Sequence, residues 1–129
     1  LPEPLASVAV HNGCRYLVGS NDLNIRPGIM LFTQKAVATK RESLRAVYQA
    51  YNEAVRYLKE TPRSEYIDLA VEKSGFPPAA KESLTLPDYH EAQLPEERDV
   101  VACMAWLKEK HLVEATYTYR DIVAEGCLP

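Results

Sequence analysis

Cysteine, histidine and paired carboxylates are the residues here with the chemistry for catalysis or metal binding, and their spacing decides how far that goes. Cys14, Cys103 and Cys127 form no Cys-x-x-Cys pair, and His11, His90 and His111 stand at no ligand spacing from them. No metal site is expected on that pattern. Three thiols cannot all pair internally. One disulfide, Cys103 with Cys127, is open in an oxidising compartment; the other reading is buried or incidental thiols. Glu96-Glu97, and Glu91 with Glu97, have the composition of a general acid/base pair. Such a pair needs burial to drive its two pKa values apart, and nothing around these residues predicts burial, so they read as solvated acids at a helix start. His111 follows Lys110 near a helix end, where a cation meets free carbonyls, and His11 before Gly13 is placed alike. His90 falls in a loop. The sequence has no glycine-rich phosphate loop, no GxSxG elbow, no HExxH and no EF-hand loop. The expectation is a non-enzyme with no cofactor. Among the eight tyrosines, Tyr48, Tyr51 and Tyr57 lie on or near one long helix. A stripe at that spacing reads as core or interface, with ligand stacking as the alternative.

The elements that must position these residues are mostly helical. Residues 4–12 read as a short helix with Leu5, Val8 and Ala9 on one face and Gly13 as its stop. Arg15 to Val18 reads as a short strand, Gly19 to Gly28 as a polar connection, and Ile29 to Phe32 as a buried strand. Thr39 and Glu42 are spaced as a capping box. Leu44, Val47, Tyr48, Tyr51, Val55 and Leu58 then recur at three- and four-residue steps, the stripe of a helix of about 20 residues. Thr61-Pro62 starts the next helix, with Tyr66, Ile67, Ala70 and Val71 inward and Gly75 closing it. Pro77-Pro78 opens a helical turn to about Ser83, and 84–94 reads as irregular. Pro95-Glu96-Glu97 opens a further helix with Val100, Val101, Met104 and Leu107 as its stripe; Trp106, one step off it, caps the core edge. Thr118 and Asp121 suggest a small capped helix through Val123. Two short strands cannot form a stable sheet alone. Either the helices cover one another or a sheet is missing from the chain.

The totals bound the function classes. The 129 residues make one domain's worth of chain, 47% hydrophobic and 26% charged, with a net charge of -3. A nucleic-acid binder would carry a basic stripe, whereas Lys and Arg here are mixed among Asp and Glu. The cluster Lys40-Arg41 with Arg45 reads as a solvated helix face, with a phosphate patch as the alternative. No apolar run approaches the ~20 residues of a bilayer span. Leu1-Pro2-Glu3-Pro4 lacks the marks of a signal peptide and the chain lacks an initiating Met, so it reads as a processed or truncated product or as part of a longer one.

Several stretches, in order, resemble the nitrate/sulfonate/taurine and thiamine-precursor branch of periplasmic solute-binding proteins. Leu1-Pro2-Glu3-Pro4-Leu5-Ala6-Ser7 is similar to the segment that leaves such a protein's second lobe. Ser20-Asn21-Asp22-Leu23, then Pro27-Gly28-Ile29-Met30-Leu31-Phe32, resembles the strand crossing back. Ala50-Tyr51-Asn52-Glu53-Ala54-Val55 resembles the long helix that follows. Leu86-Pro87-Asp88-Tyr89, Leu94-Pro95 and Trp106-Leu107-Lys108-Glu109-Lys110 resemble the closing helices. The resemblance implies an α/β class, the C-terminal part of a two-lobed fold, helix-rich with about two strands in this chain. Residues 1–19 would end the second lobe, 20–28 would form the hinge crossing, and 29–129 would complete the first lobe. It implies Glu3 as a ligand contact, beside a structural reading as a helix N-terminal acid, and Ser20, Asn21, Pro27 and Gly28 as hinge residues.

The function so implied is capture of a small anionic or pyrimidine-like solute and its delivery to an ABC permease. The setting would be periplasmic or extracytoplasmic, with lipid anchoring of the parent an open point. Self-association through apolar faces left by the missing half belongs to the same expectation. The pyrimidine synthase of thiamine biosynthesis is similar to this branch, but its cysteine-rich motif has no counterpart here. The competing reading is a stand-alone helical interaction module.

Overall fold

Six α-helices and one 3-10 turn make up the regular structure of the computed structural model, which describes residues 1–20, 22–23 and 28–129. They are α1 (Leu5–His11), α2 (Gln34–Thr39), α3 (Arg41–Glu60), α4 (Arg63–Lys73), the 3-10 turn Pro78–Ala80, α5 (Glu97–Glu109) and α6 (Tyr119–Ile122). The expected α/β class is corrected: among the described residues no strand forms. A strand exists only through a ladder to a neighbour. Arg15 to Val18 and Ile29 to Phe32 have no such neighbour among the described residues. They run as irregular chain with Leu17 85% and Leu31 81% exposed.

The chain divides into two units, 1–28 with 53–91, and 29–52 with 92–129. In the first unit, α1 and α4 each pack on the 3-10 turn. Small residues allow the α1 contact, since Ala80 and Ser7 are both buried there. Ser83 Oγ donates to the Ser7 carbonyl at 2.9 Å, and the Arg63 guanidinium donates to the Lys81 carbonyl at 2.8 Å. Lys81 also pairs with Asp68 on α4. The core is Ile67, Val71 and Leu84, with Phe76 and Leu86 packed against it. Each such side chain contributes about 1.5–3 kcal/mol when fully buried.

Helix α4 stops at a Schellman motif. The Phe76 N–H donates to Val71 O and the Gly75 N–H to Glu72 O, with Gly75 at φ 65. The motif delivers Phe76 onto the core it joins. Helix α1 closes with the same pair of bonds at Gly13, from Cys14 to Ala9 and from Gly13 to Val10. The expected stops at Gly13 and Gly75 therefore both hold.

In the second unit, Leu44 and Cys127 are buried, and Phe32 meets Tyr48 edge-on at 6.0 Å between ring centroids. Asn52 is also buried, and its Oδ1 accepts the Ala92 N–H at 2.7 Å. Helices α5 and α6 pack on each other. The small capped helix expected at Thr118 and Asp121 forms, the Asp121 carboxylate accepting from both the Thr118 N–H and its hydroxyl. Tyr119 Oη donates to the Pro95 carbonyl at 3.0 Å, which ties α6 to the segment before α5.

The box expected at Thr39 and Glu42 does not form. Thr39 ends α2, its hydroxyl donating to Lys35 O at 2.7 Å, and the Lys40 carbonyl accepts the first N–H of α3 from Leu44. Glu42 pairs instead with Arg45 at 3.3 Å. Thr33 caps α2 by accepting the Ala36 N–H at 3.1 Å.

Two stability changes follow. Asn52→Leu strips the Ala92 N–H of its partner, and loss of a buried hydrogen-bond partner costs about 1–3 kcal/mol. Urea unfolding of the variant shows that loss, and an unchanged midpoint would mean that the bond is absent in solution. His111 closes α5 at φ 54, a conformation that costs a non-glycine residue about 1 kcal/mol. His111→Gly therefore raises the thermal midpoint, with its own gain in unfolded-chain entropy removing part of the benefit.

Candidate functional site

Glu3 stands one residue before the cap of α1, exposed, and its Oε2 accepts the Ser7 N–H at 3.2 Å. That carboxylate thus meets a free donor of the first helical turn. Ser7 is itself buried, and its hydroxyl has no partner among the described residues.

Of the four residues expected at a hinge, Ser20 lies exposed in a turn and Gly28 is exposed. Asn21 and Pro27 lie outside the described residues. A side-chain clip closes the start of this connection. Asp22 Oδ2 accepts the Tyr16 hydroxyl at 2.7 Å and the Gly19 N–H at 2.8 Å. A Cβ at Gly19 would overlap the Tyr16 hydroxyl, so a side chain there would push the Tyr16 ring off its present position on Asp22. The hydrogen bond from Tyr16, then that from Gly19, holds the Asp22 carboxyl below its ordinary range. The same bond to Asp22 is the main cause that pushes the Tyr16 phenol up.

The residues with potential chemistry are dispersed. Glu91 pairs with Arg56 at 3.1 Å, Glu96 with Arg98 at 2.7 Å, and His90 with Asp88 at 3.3 Å. Glu97 and Asp99 lie in the first turn of α5, where the helix dipole favours acids. His11 ends α1. His111 contributes its backbone: its N–H donates to Lys108 O, and that of Leu112 to Leu107 O. All three cysteines are free, Cys14 and Cys103 exposed and Cys127 buried, so the pairing of Cys103 with Cys127 does not occur. Among the described residues, no group of three His, Cys, Asp or Glu side chains comes together.

The tyrosine stripe divides. Tyr48 and Tyr51 are half-buried, while Tyr57 is exposed. Burial first, and the neighbouring Cys127 second, push the Tyr48 phenol up. Trp106 is 53% exposed. Lys40 and Arg41 are exposed, the latter with its guanidinium close to Gly126.

One groove in the first unit, about 180 Å³, is lined by Val55, Leu58, Lys59, Tyr66 and residues 86–89. Small-molecule pockets run to about 300–1,000 Å³. This groove has room for one side chain or a single ring, with the Lys59 ammonium and the Asp88 carboxylate as its charged groups. Sequence reasoning missed Asn52 and the clip. Asn52 falls four residues after Tyr48 and three before Val55, so its place on the apolar stripe was the available signal. The clip had none, because Tyr16 and Asp22 meet through a loop.

No family model matches the chain, nor does any curated protein or solved structure. Among the described residues, no helix is long and apolar enough to cross a membrane.

The clip gives a pH window. A raised phenol pKa adds stability below the ordinary 10.0 that is lost as pH rises through the folded value. A lowered carboxyl pKa adds stability above the ordinary 3.8 that is lost as pH falls through the folded value. The ultraviolet titration of Tyr16, read as the difference from Tyr16→Phe, has its midpoint above 10.0, and Asp22→Asn lowers it. An unmoved midpoint in Asp22→Asn removes the clip.

Proposed function

We propose that this chain acts as part of the extracytoplasmic solute-binding component of an ABC importer. Its role is non-catalytic: to help hold a small solute, anionic or pyrimidine-like, and hand it to the permease. The observation that carries this reading is the order of the sequence motifs, from Leu1-Pro2-Glu3-Pro4 through Ala50–Val55 to Trp106–Lys110. Their helical settings suit it, since Ala50–Val55 sits inside α3 and Trp106 to Glu109 in the last turn of α5.

The uncovered surface supports it further. Large apolar side chains stay exposed in each unit, Leu17 in the first and Ile29, Leu31, Val101 and Trp106 in the second. On this reading the rest of the same component covers them and supplies the wall that a 180 Å³ groove lacks.

The helix-only inventory of the described residues favours a second reading, a helical module that docks a protein partner. One experiment separates the two. Residues 1–129 and the complete product of the surrounding coding sequence are titrated calorimetrically with a small sulfonate, nitrate and a pyrimidine. Trp106, the single tryptophan, reports coverage through its emission. The solute-binding reading expects micromolar binding by the complete product, roughly 100-fold weaker binding by 1–129, a difference of about 2.8 kcal/mol, and a blue-shifted Trp106 only in the former. Equal Trp106 exposure in both, cooperative unfolding of 1–129 and no solute binding would overturn it in favour of the module.

A further inference from the structure

We draw no further inference here: the strongest candidate, the exposed apolar surface of α5 at Val101 and Trp106, is unpartnered among the described residues, and nothing in the structure shows what covers it.

Discussion

The apolar stripe of α3 is the constraint on which both units build. A helix of 20 residues in water draws most of its stability from a covered face rather than from intrinsic propensity. The stripe of α3 is covered piecemeal, by segments far away in sequence. In one unit, Val55 and Leu58 face residues 86–89 across the groove, and Arg56 pairs with Glu91 beyond it. In the other, Leu44 is buried, Tyr48 meets Phe32, and Cys127 comes close enough to perturb the Tyr48 phenol.

The irregular segments are held by polar side chains that reach backbone atoms. Arg63 donates to Lys81 O, Ser83 to Ser7 O and Tyr119 to Pro95 O, while Asn52 accepts from Ala92. Buried non-helical backbone needs partners from elsewhere, which the bonds at Lys81 O, Pro95 O and the Ala92 N–H supply, while Ser83 ties its own segment to a carbonyl of α1. Segments 15–18 and 29–32 are held by side chains alone, Tyr16 on Asp22 and Phe32 on Tyr48, while Leu17, Val18, Ile29 and Leu31 stay exposed. The contrast locates where the chain is finished and where it still offers surface. This is the physical content behind the proposed role as one part of a larger binding component.

Candidate chemistry follows the same division. Charged groups that sequence spacing brought near one another are neutralised locally, Glu91 by Arg56 and Glu96 by Arg98. Exposed pairs of this kind carry little energy. Perturbed groups sit instead in structural devices, among them the Tyr16–Asp22 clip and the Thr118–Asp121 cap. In both, a carboxylate accepting nearby N–H and O–H donors explains the shift.

Local signals were the legible ones. Gly13 and Gly75 as helix stops, the stripe from Leu44 to Leu58, the acids opening α5 and the Thr118–Asp121 cap could all be read along the chain. They act within one helical turn, or by a periodicity that needs no partner. Where two local rules competed, the sequence was ambiguous: Thr39 had the spacing of a cap, yet it closes α2, and Lys40 begins α3. The apolar runs 15–18 and 29–32 had strand composition, but a strand is decided by its neighbour, and composition cannot supply one. Only tertiary structure placed Asn52 against Ala92, buried Cys127 while leaving Cys103 exposed, and brought Tyr16 onto Asp22. Each of those outcomes depends on loop closure between residues whose own sequence carries no record of the meeting.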